Sequence, residues 1–235
     1  MILAILQARM SSTRMPGKVM APVLGEPMIW RQIERLRRAR RLSRVMVATS
    51  DDACDDAFAG YLVSRGQGVF RGSGADLLDR FTRCAQAMEP ATHVVRVKGD
   101  APFVDPMLID EAIRLAQLSG AAYVSNRQPR LYPAGLEVEV IAVRALIAAA
   151  GQARETASRT SPTAYIRSRP DLFEAVHMPH PPRDLSGRNW RVKTPADLAF
   201  ARGVYDALHA ADPGFCMGDI LDLLDTRHDL ARFAA

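Results

Sequence analysis

Residues 2–18, which read ILAILQARMSSTRMPGK, decide the fold of this protein. The apolar run Ile2–Leu6 predicts a buried strand, because a short unbroken run of this kind is typical of strands covered on both faces. The polar loop Gln7–Lys18 follows, with two arginines, one lysine, three hydroxyl residues and a Pro-Gly turn. Cationic side chains and backbone N–H groups in such a loop bind polyphosphate. The loop is not a P-loop, since the pattern G-x-x-x-x-G-K-[ST] is absent.

Strand-like and helix-like segments alternate after this first unit. The predicted strands are Val45–Thr49, Gly68–Phe70, His93–Val97 and Ala121–Ser125, and the predicted helices are Met28–Arg38, one that begins near Asp52, Asp76–Met88 and Pro106–Leu118. This alternation predicts an α/β fold, a mostly parallel sheet with helices on both faces. Because such sheets bind ligands beyond the carboxyl ends of their strands, we expect the site in the loops that follow the strands.

The pattern becomes less regular in the second half of the chain. Leu136–Val143 alternates glutamates with apolar residues, which predicts a half-buried strand. Ser168–Asn189 is rich in Pro, Arg and His and indicates an excursion from the main sheet, and Trp190–Val192 predicts a short return strand. Helices are predicted at Pro195–Leu208 and Gly218–Leu224. No linker divides the chain, so we expect one domain over residues 1–235.

Composition narrows the class of protein. Hydrophobic residues make up 48% of the chain, and Gly and Pro together total only 30 of 235 residues, so we expect a packed globular protein. No apolar run approaches the roughly 18 residues of a membrane span, and Met1–Leu6 is no signal peptide. The three cysteines are widely spaced, which favours reduced thiols and a cytoplasmic location.

The distribution of the basic residues carries more information than the net charge of +5. Only three of the 31 basic residues are lysines, namely Lys18, Lys98 and Lys193, and each lies at or near a predicted loop. Lysine presents a compact point charge, whereas arginine presents a broad planar fork. Either the three positions are a chance outcome, or they need a small ammonium group near phosphate or carboxylate oxygens.

Several segments together resemble the cytidylyltransferases that activate acidic sugars, such as the acylneuraminate and KDO cytidylyltransferases, and above all their spore-coat polysaccharide branch. The resemblance begins in the loop Gln7–Lys18. It continues in family order through Val47–Asp51, Phe70–Ser73, Asp76–Arg80, Gly99–Phe103, Tyr132–Glu139 and Thr194–Leu198, so that it covers nearly the whole chain. It implies a Rossmann-like, GT-A-like nucleotidyltransferase domain, CTP as donor, Mg²⁺ as cofactor and a homodimer. We expect the dimer to pair through the excursion at residues 168–189.

The resemblance also assigns roles to residues in the strand-end loops. It implies that Arg9 and Lys18 hold the triphosphate, where positive charge stabilises the developing pyrophosphate. The further nucleotide-binding candidates are Ala8, Ser11, Ser12, Arg14, Thr49, Ser50, Arg71, Gly72, Ser73, Asp76 and Lys98. Ser73 and Asp76 also suit capping of the helix that follows, and the two roles are compatible.

Asp100 matches the family's metal-binding carboxylate. Mg²⁺ takes few protein carboxylates together with phosphate oxygens, so one aspartate in this loop is sufficient to recruit it. The alternative is a solvated loop aspartate. The candidate acceptor-binding residues are Asn126, Arg130, Tyr132, Glu137, Glu139, Arg159 and Arg191.

Two positions depart from the family pattern. Lys193 stands in the string Arg191–Pro195, where the family usually has a second metal-binding aspartate. At residues 159–166 the usual Glu and His are missing. Three explanations fit: an inactive nucleotide-binding regulator, a one-metal enzyme with Lys193 in place of the second metal, or a different acceptor.

The nature of the acceptor separates these explanations. A sugar hydroxyl needs a base or a metal before it attacks the α-phosphorus. A phosphonate oxygen is already ionised and needs neutralisation instead, which suits Lys193 as a catalytic residue. The same task suits the arginines Arg127, Arg130, Arg159, Arg188 and Arg191. We therefore predict an anionic acceptor, a phosphonate in preference to a sugar acid.

Two other features are set aside. His177 and His180 lie in a Pro-rich loop without a carboxylate or cysteine cluster, so a zinc site is not expected. The basic run Arg35–Arg41 lacks interleaved aromatic residues and occupies a helix end, where cations are favoured. We expect neither nucleic acid nor a membrane as partner.

Overall fold

A computed structural model describes residues 1–231, and the strands and helices within that range alternate as expected. The strands are β1 (Ile2–Gln7), β2 (Pro22–Val23), β3 (Glu26–Pro27), β4 (Arg44–Ser50), β5 (Gly68–Gly72), β6 (His93–Lys98), β7 (Tyr123–Ser125), β8 (Glu139–Ala142) and β9 (Ala175–His177). The helices are α1 (Met28–Leu36), α2 (Asp56–Ser64), α3 (Leu77–Ala87), α4 (Pro106–Ser119), α5 (Val143–Gln152), α6 (Thr156–Arg159), α7 (Ala164–Ser168), α8 (Pro195–Leu208), α9 (Met217–Thr226) and α10 (His228–Ala231).

Seven strands form one sheet in the order β5-β4-β1-β6-β8-β7-β9. All neighbours are parallel except β8, which runs antiparallel to β6 and to β7. Strands β2 and β3 form a separate hairpin. The predicted mostly parallel α/β fold is confirmed, and the carboxyl ends of β1, β4, β5 and β6 share one edge.

Helices cover both faces of the sheet, as predicted. Side chains of β1 alternate between two hydrophobic clusters, with Ala4 and Leu6 on one face and Leu3 and Ile5 on the other. A third cluster joins α8 and α9 to Phe103 and Trp190. No helix within residues 1–231 is both long and apolar enough to cross a bilayer.

The capping residues explain several helix boundaries. Asp105 accepts a hydrogen bond from the N–H of Met107 at 2.8 Å and precedes Pro106, which opens α4. The helix ends at Gly120, whose φ of 67° places it in the left-handed region that glycine tolerates best. Helix α8 begins with a full capping box between Thr194 and Asp197.

Three sequence predictions about local structure are wrong. The strand predicted at Leu136–Val143 as half-buried is β8, and all four of its residues are buried. The prediction fails because Glu139 faces a buried arginine and not the solvent. The excursion at residues 168–189 contributes β9, which pairs with β7 at the edge of the main sheet. Trp190–Val192 forms no strand; the Trp190 N–H instead donates to Ala134 O at 2.7 Å.

Candidate active site

The candidate site lies where β1 and β6 end side by side. Gln7 pairs with Lys98 in the parallel register, so the two following loops leave the sheet together. The Gly99 N–H donates to Gln7 O at 2.7 Å. A Cβ at Gly99 would lie 2.9 Å from that same oxygen and 3.0 Å from the Cβ of Ala8, so this close approach requires glycine.

A cavity of about 230 Å³ opens between these loops. Seven of the predicted site residues line it, namely Ala8, Arg9, Ser12, Arg14, Lys18, Lys98 and Asp100. Gln7, Thr13, Val19 and Gly99 also line it and were not among the candidates. Ser11 lies in the same loop but is not part of the lining. Residues up to 93 positions apart in sequence, Gln7 and Asp100, thus meet in one cationic cleft.

The side chain of Lys18 contacts Val192, the residue that precedes Lys193. This side chain is 13% exposed, and its ammonium donates to Val192 O at 2.8 Å and lies 4.0 Å from Asp100 Oδ2. Burial lowers the pKa of Lys18; Asp100 opposes this shift, whereas Arg14 and Lys193 lower the pKa further. The cations of the cleft therefore repel one another, and an anionic ligand would relieve that repulsion.

Asp100 is the one predicted metal ligand, and its surroundings fit a divalent cation. The backbone of its loop is fixed, since its carbonyl accepts a hydrogen bond from the Val192 N–H at 2.8 Å. Its Oδ1 is buried and has no hydrogen-bond partner among residues 1–231. No group of three or more His, Cys, Asp or Glu in the described chain could hold a metal by itself. A cation at Asp100 would thus share its coordination with substrate oxygens, as Mg²⁺ commonly does.

Asp55 organises the signature loop and was not predicted. Its carboxylate accepts hydrogen bonds from the N–H of Met10 at 2.7 Å, from the hydroxyl of Thr49 at 2.8 Å and from the N–H and hydroxyl of Ser50. Although burial alone would raise the pKa of Asp55, the hydrogen bonds of these residues lower it. The acidic run at residues 51–56 was the only available sequence signal.

This arrangement corrects the expectation for Thr49 and Ser50. Both are fully buried and donate their hydroxyl groups to Asp55, so they tie β4 to the loop after β1 instead of facing the cavity. They therefore shape the site without offering their hydroxyls to a base or ribose.

The loop between β5 and α3 lies next to Arg9. A second, open cavity is lined by Arg9, Asp51, Asp52, Ser73, Gly74 and Ala75. Asp76 caps α3 by accepting from the Asp79 N–H at 2.9 Å, and its second oxygen pairs with Arg159. The Ser73 hydroxyl accepts from the Asp76 N–H at 2.9 Å. The capping role is thus confirmed for Asp76, and the nucleotide role of Ser73 and Gly72 stays a prediction.

Arg71 is engaged by the neighbouring β4 loop. It donates to Ser50 O and Asp52 O, both at 3.1 Å, and pairs with Asp56 at 2.6 Å. Its guanidinium group is partly exposed, so contact with a nucleotide stays a prediction.

A second group of cations borders the cavity on the side of β6. Burial lowers the pKa of Lys98, and the charges of Arg96, Arg191 and Arg127 lower it further, whereas Asp100 raises it. Four positively charged side chains, those of Lys98, Arg96, Arg191 and Arg127, therefore repel one another on this side of the cavity. The sequence predicted Lys98, Arg127 and Arg191 for the site and missed Arg96.

Glu139 accepts the hydrogen bonds of a buried network and is not exposed at the surface of the site. Only 2% of the residue is exposed. Its carboxylate accepts from Arg96 at 2.8 Å, Arg127 at 3.2 Å, Tyr123 at 2.7 Å and Thr163 at 2.8 Å. The acceptor-binding role predicted for Glu139 does not fit this burial, and the carboxylate instead positions Arg127 and Arg96.

Glu139→Gln is expected to lower the free energy of unfolding by about 3–5 kcal/mol, because it leaves a buried arginine without its counter-charge. Urea denaturation measures the change, with Glu111→Gln in the half-exposed pair Glu111–Arg114 as control, expected to cost below about 1 kcal/mol. A Glu139→Gln variant as stable as the control would contradict the network role.

The same network sets a pH dependence. Burial raises the pKa of Glu139, but Arg96, Arg127 and the two hydroxyl donors outweigh it and lower the pKa to about 2. A lowered pKa in the folded state means that the stabilisation is present above the unfolded value of about 4.3 and is lost as the pH falls toward the folded value. The difference between wild type and Glu139→Gln should therefore shrink below about pH 4.

The remaining acceptor candidates lie in the loops that flank this network. Glu137 pairs with Arg191 and accepts from the Gly135 N–H at 2.8 Å. The Asn126 side chain bridges Leu136 O and the Val138 N–H, both at 2.8 Å. The side chains of the remaining three candidates donate hydrogen bonds to backbone carbonyls: Arg130 to Ser186 O, Tyr132 to Pro179 O, and Arg159 to Ala150 O and Ala153 O. The side chains of Asn126, Tyr132 and Arg159 are therefore hydrogen-bonded to backbone groups of the protein. They do not present free polar groups to an acceptor.

Comparisons with known proteins point to one family. A family model described as "Cytidylyltransferase" matches residues 3–194. The chain is 32% identical to the spore coat polysaccharide biosynthesis protein SpsF of Bacillus subtilis, over 98% of this chain and 96% of that protein. It is 38% identical to the 3-deoxy-manno-octulosonate cytidylyltransferase of Geobacter sulfurreducens, over 48% of this chain and 44% of that one.

Solved structures agree on the fold. A cytidylyltransferase from Leptospira borgpetersenii superposes with a TM-score of 0.90, at 23% identity and covering 97% of this chain and 95% of that one. A CMP:2-keto-3-deoxy-manno-octonic acid synthetase in complex with CTP gives a TM-score of 0.62 at 15% identity, covering 87% of this chain and 98% of that one. At these identities the likeness concerns the fold alone.

Proposed function

Because the chain belongs to the cytidylyltransferase family and is a CTP-dependent nucleotidyltransferase, we propose that it transfers CMP to an anionic small-molecule acceptor, a phosphonate. An acceptor oxygen attacks the α-phosphorus of CTP, the bond to the bridging oxygen breaks, and pyrophosphate leaves. The observation that carries the proposal is the cluster Lys98, Arg127 and Arg191 beside the cleft, in addition to Lys18 and Lys193.

The loop after β1 suits the triphosphate. Arg9, Arg14 and Lys18 line one cleft with Ser12, and Lys18 is fixed by its hydrogen bond to Val192 O. Preorganised cations stabilise charge that develops on a leaving group, because they need no reorientation as the reaction proceeds. These residues would therefore bind the β- and γ-phosphates and favour departure of pyrophosphate.

Asp100 would hold Mg²⁺ with the help of phosphate oxygens, since its Oδ1 is buried without a partner among residues 1–231. When bound there, Mg²⁺ would supply charge neutralisation at the phosphates. Lys18 lies 4.0 Å from the other carboxylate oxygen and would share that task.

The opposite side of the cleft suits a preformed anion. Burial lowers the pKa of Lys98, and the positive charges of Arg191 and Arg127 lower it further, so these three groups repel one another. The two nearby glutamates are already engaged, Glu137 by Arg191 and Glu139 by Arg127. Neither is free to take a proton from a hydroxyl group, so an acceptor that arrives ionised fits this side better.

A sugar acid is the second candidate acceptor. The names of the relatives favour it, since one is a spore coat polysaccharide biosynthesis protein and another a 3-deoxy-manno-octulosonate cytidylyltransferase. A sugar acid would bring a single carboxylate to the cations and would present a hydroxyl as nucleophile. A third possibility is a nucleotide-binding regulator that lost its second metal ligand at Lys193.

A pyrophosphate-release assay with CTP and Mg²⁺ distinguishes the three functions. We expect release with alkylphosphonates and little with KDO or N-acetylneuraminate. Release with the sugar acids alone would replace the phosphonate proposal by the second candidate. Nucleotide binding without release for any acceptor would favour the regulator.

We also propose a homodimer that pairs through residues 168–189. Strand β9 lies at the edge of the sheet, and Leu172 just before it is 49% exposed. An edge strand with an exposed apolar neighbour is a ready pairing surface.

Light scattering at tens of micromolar should give about twice the monomer mass of 25.8 kDa. Leu172→Glu should shift the protein to the monomer, whereas Leu118→Glu on the exposed side of α4 should not. A wild-type mass of 25.8 kDa would rule out this assembly.

A further inference from the structure

Gln32 is a fully buried polar residue in the middle of α1. It is 0% exposed, and so are the neighbouring apolar residues of the helix, Ile29 and Ile33. Its Nε2 donates to Lys98 O at 3.0 Å and to Ala101 O at 2.7 Å. Both partners are carbonyl oxygens, which only accept hydrogen bonds, so the surroundings settle the orientation of the amide. One side chain of α1 thus uses both of its N–H donors on the loop after β6.

The two carbonyls lie immediately before and after Gly99 and Asp100. Gln32 therefore holds the backbone on both sides of the predicted metal ligand. The two residues between the carbonyls are held from other directions, since the Gly99 N–H donates to Gln7 O at 2.7 Å and Asp100 O accepts from the Val192 N–H at 2.8 Å. The segment that carries the Asp100 carboxylate is thus fixed from β1, from α1 and from the segment before α8.

Stability alone does not explain an amide at this position. Gln32 Oε1 is buried and has no hydrogen-bond partner among residues 1–231, and the burial of an unpaired polar atom costs free energy. Each of the two carbonyls also has a backbone donor, because Lys98 O accepts from the Ala101 N–H at 3.1 Å and Ala101 O accepts from the Val104 N–H at 3.4 Å. An apolar side chain of the same length would remove the unpaired oxygen and leave neither carbonyl without a donor. The benefit of the amide therefore lies in the geometry of the loop.

We propose that Gln32 is a positioning residue for Asp100, which holds the carboxylate in the orientation that binds Mg²⁺ together with the phosphate oxygens of CTP. Groups that orient a metal ligand without touching the metal strengthen metal binding, because the ligand is already in place. The Asp100 Oδ1, buried and without a partner among residues 1–231, is the atom that this orientation serves. The inference rests on the proposed function, in which Asp100 holds the metal.

Calorimetric titration with CTP, once in EDTA and once in saturating Mg²⁺, tests this without an acceptor. We expect Mg²⁺ to tighten CTP binding by the wild type, and we expect Asp100→Asn to lose that gain. Gln32→Met keeps the length of the side chain and removes both donors. It should reduce the gain by about tenfold, as the loss of a group that orients a metal ligand does. The affinity of Gln32→Met for CTP in EDTA should equal that of the wild type.

Tyr205→Phe is the matched control. Tyr205 is 1% exposed and its hydroxyl donates to Pro102 O at 2.9 Å, so this variant also removes a buried donor to a carbonyl of the same loop. That carbonyl lies outside the pair that Gln32 holds, and the gain from Mg²⁺ should be unchanged.

Thermal melting of the free proteins provides a separate readout. Gln32→Met should melt close to the wild-type temperature, because the two loop carbonyls keep their backbone donors and the unpaired Oε1 is gone. Gln32→Leu, a second variant without donors, should reproduce both the melting and the reduced gain from Mg²⁺.

Four results would overturn the inference. The first is a full gain from Mg²⁺ in either Gln32 variant, and the second is an equal reduction in Tyr205→Phe. The third is a loss of CTP affinity in EDTA as large as the loss in Mg²⁺, which would show that Gln32 shapes the nucleotide site as a whole. The fourth is a failure of both Gln32 variants to fold, which would show that the residue acts through stability.

The wild type itself separates this inference from the proposed function. If Mg²⁺ brings no gain in CTP affinity, the metal role of Asp100 is wrong and the role of Gln32 falls with it. None of these titrations contains an acceptor, so a failure of the phosphonate proposal would leave their outcome unchanged.

Discussion

Lys193→Asp is expected to abolish detectable transfer to the native acceptor and to weaken CTP binding only slightly. The Lys18 ammonium donates to Val192 O at 2.8 Å, and Lys193 is the next residue. Burial lowers the pKa of Lys18 and the charge of Lys193 lowers it further, so Lys193 adjoins the cationic cleft. If the acceptor is an anion, a carboxylate at residue 193 repels it. At about 4 Å and an effective dielectric near 20, one unit charge contributes about 4 kcal/mol, an upper-range figure that bound Mg²⁺ and water would reduce.

The substitution changes the charge while leaving the backbone in place. The Lys193 N–H donates to Asp197 Oδ2 at 2.8 Å as part of the start of α8, and this contact does not involve the side chain. Lys193→Met, which removes the charge without reversing it, should have an intermediate effect. Arg154→Asp is a matched reversal at an exposed position between α5 and α6, outside the proposed dimer segment, and should be neutral.

Turnover of Lys193→Asp at the wild-type level would defeat the anionic-acceptor proposal. It would favour a hydroxyl acceptor instead, since an aspartate at residue 193 rebuilds the family's usual second metal ligand. The measurement is pyrophosphate release at saturating CTP across a range of acceptor concentrations.

Lys18→Ala and Arg9→Ala should each lower turnover by a factor of about 100 or more, as the loss of a transition-state charge contact does. Lys18 Nζ is fixed by Val192 O at 2.8 Å, and Arg9 lines both cavities of the site. Under the proposed function, each would therefore hold its charge where the pyrophosphate leaves.

Single-turnover rates with saturating CTP separate this effect from weaker binding. Arg40→Ala, an exposed arginine on the opposite side of the molecule near the start of β4, is the control and should retain full turnover. Near-normal turnover in both Arg9→Ala and Lys18→Ala would contradict the assignment of the loop after β1 to the triphosphate.

The sequence predicted much of the fold and seven of the eleven residues that line the cavity between the loops after β1 and β6. The strand-helix alternation located β1, β4, β5 and β6 within one or two residues, because hydrophobic periodicity and caps act over a few neighbouring residues. The loop after β1 was recognisable because its cations and its Pro-Gly turn are contiguous. The resemblance to the cytidylyltransferases is confirmed by the family match.

The errors share one cause. Glu139 alternates with apolar neighbours in a way that is typical of a half-buried strand, yet it is buried against Arg96, which lies 43 residues away. Asp55 was not predicted as a site residue, because its role depends on the position of Met10, which lies 45 residues away in sequence.

The sequence by itself therefore determined the alternating elements, the family and the cationic loop after β1, since each is set by adjacent residues. Only the tertiary structure decided which charges meet. It brought Lys18 to Asp100, and Glu139 to Arg96 and Arg127. The physical reason is that burial and charge pairing depend on distances in space between strand ends, which no local pattern records.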